Sequence, residues 1–375
     1  METSNEYLEQ INEILSLLKE QSKRKAVLEL LLGFSDNEEM RKVFLKTDIA
    51  KIMIRQLESE DTTDRDLVLQ IMINLSCEET FQAKFIELNA IYRIVTLLMQ
   101  KIDKEVLKDD GEKKDNFDIA SLGSKNDIDM KLIFDKYVIN SETIKKNSST
   151  FQEVPYYFMI LTNLTISEAG QKKFLNVEDD KITGIIFMKV LDKFFQYIYN
   201  EEFNFCSSLF ANISSLKVGR ELILEHKIFK IFLIHLDKMN NFKIVNLLRI
   251  IRNCCFEFEA YKDDLLINDA ILFSYLIKIL VLTNITEKKE LLDIGIFHID
   301  NIYFPHFNQE LAQLDKETIN DLILDIFLVL TNIEEAIALM KSKDLYKAIK
   351  QIGVRIGDSE NITNRLFVIN NYLEN

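Results

Sequence analysis

An apolar run that closes on asparagine recurs along this chain, and it limits the possible folds more than any other feature. The segments are "LQIMINLSCEE" with Asn74, "YFMILTNLTISEAG" with Asn163, "CSSLFANISSLKVG" with Asn212, "LLRIIRNCCFEFEA" with Asn253 and "LDIFLVLTNIEEA" with Asn332. Near the start, "VLELLLGFSDNEE" has the same shape with Gly33 in the asparagine slot. Eleven residues beyond the anchor stand Phe44, Phe85, Phe174 and Ile223, each followed by Leu or Ile. "IAKIMIRQL", "IYRIVTLLM", "IFKIFLIHL" or "LYKAIKQIG" then supplies a third helix. Gly33 and Asn74, like Asn212 and Asn253, are 41 residues apart. That period belongs to armadillo or HEAT units of two or three helices.

The expected fold is all-α, a right-handed armadillo/HEAT-type superhelical solenoid of about seven repeats running through residues 1–375. A three-helix unit cannot cover its own apolar stripe, so neighbours bury it between them, at ~1.5–3 kcal/mol for each Leu, Ile or Phe. The phenylalanine column is therefore core. Residues 1–22, with Leu8, Ile11, Leu15 and Leu18 on one helical face, read as an N-terminal capping helix. Two intervals exceed the period, 89 residues from Asn74 to Asn163 and 79 from Asn253 to Asn332. The first surplus, 102–150, is polar and aperiodic and reads as largely disordered. The second, 283–315, contains "DIGIFHIDNIYFPHF" and is aromatic enough to pack on the solenoid.

Composition agrees with helices: 375 residues include 2 Pro and 9 Gly, too few turn formers for a many-stranded protein. A net charge of −14 repels phosphate backbones and anionic membranes, which argues against nucleic-acid and membrane partners. The N-terminus has no basic segment followed by an apolar core, and no 18-residue stretch lacks charge. Four cysteines at irregular spacing fit a reducing compartment, so a cytoplasmic monomer is expected.

Within the repeat, Cys254 aligns with Leu75, Leu164, Ile213 and Ile333, and Cys255 with Ser76, Thr165 and Ser214. The pair reads as packing rather than as a metal or redox site. The asparagine column has two readings. Asn74, Asn163, Asn212, Asn253 and Asn332 form a ladder on the anchor-helix face that contacts the backbone of a bound polypeptide, or each ties down the turn of its own repeat. One turn earlier stand Gln70, Met159, Ser208, Arg249 and Leu328, with none of the tryptophans of nuclear-import armadillo proteins. Arg249, Arg252 and Asn253 share a helix face and make a candidate anion-contacting spot or an internally paired one. No Gly-rich phosphate loop, nucleophile elbow or metal-ligand spacing occurs, and His226, His235, His298 and His306 match no ligand pattern with the cysteines. No catalysis, cofactor or metal is expected. The Asn-x-Ser/Thr triplets at Asn74, Asn163 and Asn212 read as by-products of the repeat column.

"IIRNCCFEFEAYKDDLL", "NISSLKVGRELIL" and "IDNIYFPHFNQE", with Asp300, Tyr303 and Pro305, resemble successive segments of the HGH family of eukaryotic armadillo-repeat proteins. The likeness runs from about residue 25 to 370, departing at Gly33 and in the polar insert. It implies a cytosolic folding cofactor that binds translation elongation factor 2 and bridges it to the cytosolic chaperonin. The alternative is a general armadillo scaffold or transport adaptor for another protein.

Overall fold

The computed structural model describes residues 2–59, 63–106, 153–175, 204–225, 241–265, 316–342 and 360–374, together with 272–273, 276–277, 279–280, 283–284 and 349. Among these residues all regular structure is helical. Of the polar insert expected at 102–150, residues 102–106 close the helix Ala90–Val106 and the rest lies outside the described residues. The same holds for all but Thr283 and Asn284 of the aromatic insert at 283–315, and for all four histidines.

The chain divides into two compact units, Met1–Ile213 and Ser214–Asn375. In the first, helix Glu2–Ser16 and the 3-10 turn Leu17–Lys19 bury Ile11, Leu15 and Leu18, the face expected of a cap. Two complete triplets follow: Gln21–Ser35, Glu38–Phe44 and Ile49–Leu57, then Arg65–Ser76, Glu79–Glu87 and Ala90–Val106. Local chemistry sets the joints. Asn37 caps Glu38–Phe44 by accepting from the Met40 amide at 3.1 Å, with Glu38 and Glu39 in the first turn complementing the helix dipole. Asn89 takes φ 56°, a left-handed conformation that asparagine tolerates, and turns the chain between the last two helices. Pro155 sits in the first turn of Val154–Leu164, where its missing N–H costs nothing.

The anchor helices stack in the order of the asparagine column: Gln21–Ser35 on Arg65–Ser76, that helix on Val154–Leu164, and that on Asn204–Ile213. Val154–Leu164 therefore lies directly against Arg65–Ser76, and the surplus residues between them do not separate the two repeats. In the second unit Asn241–Cys254 packs on Lys316–Leu330, which packs on Glu360–Glu374. Phe44, Phe85, Phe174 and Ile223 are buried, as the column predicts. Cys254 and Cys255 are also buried. Burial pushes the Cys255 thiol up to about 12 and the Cys254 thiol well above its ordinary value, so neither is a ready nucleophile or ligand.

Candidate protein-binding surface

Four anchor asparagines, Asn74, Asn163, Asn212 and Asn253, reach past their own turns. Asn74 Nδ2 donates to Ser35 Oγ at 2.9 Å and to Asp36 Oδ1 at 2.7 Å. Asn163 Nδ2 donates to Ser76 Oγ at 2.9 Å, and Asn212 Nδ2 to Thr165 Oγ1 at 3.1 Å and the Thr162 carbonyl at 2.9 Å. In the second unit Asn253 Nδ2 donates to Ser214 Oγ at 2.9 Å. Each asparagine reaches the preceding repeat and there meets the hydroxyl two residues past that repeat's anchor. The Asn-x-Ser/Thr triplets are thus the two halves of a stitch, one facing forward and one back.

The hydroxyls are polarised for this role. Ser35 Oγ donates to the Leu32 carbonyl at 2.7 Å, Ser76 Oγ to Ile73 at 2.9 Å and Thr165 Oγ1 to Leu161 at 2.8 Å. With its proton committed to a helix-end carbonyl, the oxygen can only accept from the asparagine. The acceptors Asp36 Oδ1 and Thr162 O likewise require the NH2 side of Asn74 and Asn212, which fixes the amide orientation chemically. Among the described residues no donor reaches the Oδ1 of Asn74, Asn163 or Asn253, and all three residues are half-buried. Asn332 differs. It is exposed and donates to Val329 and Leu328 of its own helix at 3.1 and 3.4 Å.

A second column supports the ladder and was not singled out from the sequence. Eight residues after the anchor stand Arg41, Gln82, Gln171 and Arg220. Gln82 Nε2 donates to the Ser76 carbonyl at 2.9 Å and Gln171 Nε2 to that of Thr165 at 3.0 Å. Arg41 Nη1 reaches the carbonyls of Ser35 and Asp36, both at 3.0 Å, and Arg220 Nη1 that of Ser215 at 2.8 Å. These donors satisfy the orphan carbonyls at the anchor-helix ends. The arginines carry a surplus donor, and each spends it on a glutamate 37 residues ahead: Arg41 Nε on Glu78 Oε1 at 2.8 Å, Arg220 Nε on Glu257 Oε1 at 2.8 Å. The repeats with glutamine have Ser167 and Leu216 in the glutamate's slot. The signal was legible as a paired column, Arg with Glu and Gln without.

Three residues past the anchor is an exposed column: Asp36, Cys77, Ile166, Ser215, Phe256 and Glu335. Ile166 is 61% exposed and Phe256 56%. Arg252, expected to share a face with Arg249, does so, but its Nε lies 3.2 Å from Asp325 Oδ2 and Asp325 also meets Arg365 at 3.0 Å. Arg249 is exposed and has no acidic partner among the described residues. Of the two readings of that spot, Arg252 follows the internally paired one and Arg249 is left to solvent. Among the described residues no group of His, Cys, Asp and Glu could hold a metal ion, and no helix is long and apolar enough to cross a membrane.

Comparison with known proteins bears on this surface. Residues 144–294 match a family model described as "Domain of unknown function (DUF383)". "Protein HGH1 homolog" of Dictyostelium discoideum is 22% identical over 357 residues, 92% of this chain and 85% of that protein. Among solved structures, the designed armadillo repeat protein YIII(Dq.V1)4CPAF in complex with peptide (KR)4 superposes with a TM-score of 0.52 at 12% identity, covering 87% of this chain and 100% of its own. The designed armadillo repeat protein YIII(Dq)4CqI gives 0.52 at 13% identity, over 87% of this chain and 99% of its own. The helical repeat is therefore of armadillo type. The sequence similar to this chain thus spans nearly its whole length, and the family model falls across its centre.

Proposed function

We propose that this chain is a non-catalytic, cytoplasmic adaptor whose anchor-helix face grips a protein client. The observation that carries the reading is the half-buried amide row. Asn74, Asn163 and Asn253 spend their NH2 groups on the preceding repeat and keep Oδ1 unused among the described residues. A polypeptide laid across that face would offer backbone N–H groups to those oxygens. In the first unit Asn212 belongs to the same row; in the second, Arg249 adds a cationic contact beside Asn253, and Asn332 supplies an exposed amide.

Similarity to the Dictyostelium HGH1 homolog over most of the chain supports a finer reading. The client is translation elongation factor 2, and the chain hands it to the cytosolic chaperonin, with no cofactor and no chemical step. Affinity purification of the native protein with mass spectrometry tests this. Enrichment of both elongation factor 2 and chaperonin subunits is the expected result; recovery of neither removes the co-chaperone role and leaves an armadillo scaffold for another partner.

A further inference from the structure

The exposed stripe of one repeat is unlike that of every other. Four and one residues before the anchor, at it and three after, residues of the stripe lie at i, i+3, i+4 and i+7, one face of a helix. In the first unit these read Gln70, Ile73, Asn74, Cys77, then Met159, Thr162, Asn163, Ile166. The stripe on Asn241–Cys254 and the following 3-10 turn reads Arg249, Arg252, Asn253, Phe256. Phe256 is 56% exposed, and its ring is flanked by two guanidiniums, Cζ of Arg220 at 6.0 Å and of Arg252 at 5.9 Å. Arg220 is held by hydrogen bonds to Glu257 and Ser215, and Arg252 is ion-paired with Asp325, so the ring stands beside two partnered cations. Arg249, seven residues back, is the exposed cation of the stripe. At 1.5 Å per residue it lies roughly 10 Å along the axis from Phe256.

Resting on the adaptor reading, we propose that this stripe is the anchoring point of the surface and selects an acidic, apolar segment of a protein partner. A carboxylate pairs with Arg249, and an apolar side chain within about 10 Å of it covers Phe256. Charge decides the occupant. In a chain of net −14 a basic segment is attracted nearly everywhere, whereas here exposed arginine repels it and the flanking guanidiniums repel it again. A nucleic acid would meet the same arginine but also the overall negative field, and it does not need a rigid aromatic platform. Arginine and an aromatic, held rigidly and exposed, is the composition in which interface energy concentrates. This arrangement also explains why an exposed phenylalanine is kept beside two paired arginines when cysteine, isoleucine and serine serve the same slot elsewhere.

Fluorescence anisotropy with three labelled synthetic peptides tests the proposal: alternating Glu-Leu, alternating Lys-Leu and alternating Glu-Ser. The full chain is expected to bind Glu-Leu about tenfold or more tighter than either of the others. Arg249→Glu, a change at an exposed position, should reverse the preference between Glu-Leu and Lys-Leu. Phe256→Ala should bring Glu-Leu down to the level of Glu-Ser, with circular dichroism confirming the fold of both variants. Equal or undetectable binding of the three peptides, or a Glu-Leu preference that survives Arg249→Glu, overturns it. If protein partners still copurify with the wild-type chain in that event, the adaptor reading stands and this assignment alone fails.

Discussion

The first unit and the second use the same asparagine in different ways. In Met1–Ile213, Asn74, Asn163 and Asn212 each find a hydroxyl two residues past the preceding anchor, at Ser35, Ser76 and Thr165. In Ser214–Asn375, Asn253 finds Ser214, but the position two residues past Asn253 is Cys255, and Asn332 folds back on its own helix end. A thiol is a weak acceptor and a hydroxyl a good one. The difference shows that an anchor asparagine is only as structural as the residue opposite it in the previous repeat, so equal spacing does not mean equal role.

The sharpest way to break the first unit is at the joint that brings the two halves of its stitch into register. A Cβ on Gly170 would stand 1.7 Å from the Leu164 carbonyl oxygen, a contact with backbone that cannot be rotated away. Gly170→Ala should force the helix Glu168–Leu175 off the end of Val154–Leu164 and cost about 3 kcal/mol or more. Gly33 offers the control. Nothing lies within 4 Å of a Cβ there and the residue is inside the helix Gln21–Ser35, so Gly33→Ala should raise stability by about 1 kcal/mol. Denaturant unfolding of both variants checks the pair; a mild Gly170→Ala phenotype would mean the helix end is not fixed.

Next in size is the ladder itself. Asn163→Ala with Asn212→Ala removes the bonds to Ser76, Thr165 and the Thr162 carbonyl, at roughly 0.5–1.5 kcal/mol each. The summed loss should be about 2–3 kcal/mol. Asn332→Ala, in an exposed position bonded only to its own helix, should cost less than about 0.5 kcal/mol. Thermal melts give the stability difference, and client capture measured beside them separates the two roles. Lower stability with unchanged capture assigns Asn163 and Asn212 to the stitch alone, whereas loss of capture in Asn332→Ala at unchanged stability would make that residue a contact.

These contrasts also show what the sequence could and could not reveal. The anchor column and the phenylalanine column were legible because burial repeats a residue type at a fixed spacing. The destination of each asparagine was not, because spacing says nothing about which of two adjacent turns a side chain faces. Its acceptors were in plain view as Asn-x-Ser/Thr and looked incidental. The column of Arg41, Gln82, Gln171 and Arg220 escaped notice for a chemical reason. Arginine and glutamine differ in charge and share only a long stem ending in an N–H, and that is the property a helix-end carbonyl selects. Phe256 escaped because its column has no residue type in common, and its meaning comes from two guanidiniums brought beside it by different helices.

The smallest effect sharpens the comparison most, because it separates two adjacent residues. Cys255 occupies the slot of Ser35, Ser76, Thr165 and Ser214, where a hydroxyl has a carbonyl to donate to and an asparagine to accept from. Cys255→Ser should therefore be neutral to within about 0.5 kcal/mol, the lost thiol burial offset by new hydrogen bonds to the helix end and to Asn332. Cys254 occupies an aliphatic slot, so Cys254→Ser buries a hydroxyl among apolar neighbours and should cost about 1–3 kcal/mol. Alkaline pH gives an independent readout. Burial raises both thiols above their unfolded value of 9.0, Cys255 to about 12, so once the unfolded chain begins to ionise its thiolates favour the unfolded state. The buried thiols' stabilisation is complete below pH 9 and is lost as pH climbs toward the folded values, at up to about 1.4 kcal/mol per pH unit for each thiol. Replacing Cys255 removes one of the two, so between pH 9 and 10 stability should fall less steeply in Cys255→Ser than in the wild type. Identical slopes would mean that the Cys255 thiol is open to water, and the hydroxyl-for-thiol account of why the ladder stops there would lose its physical basis.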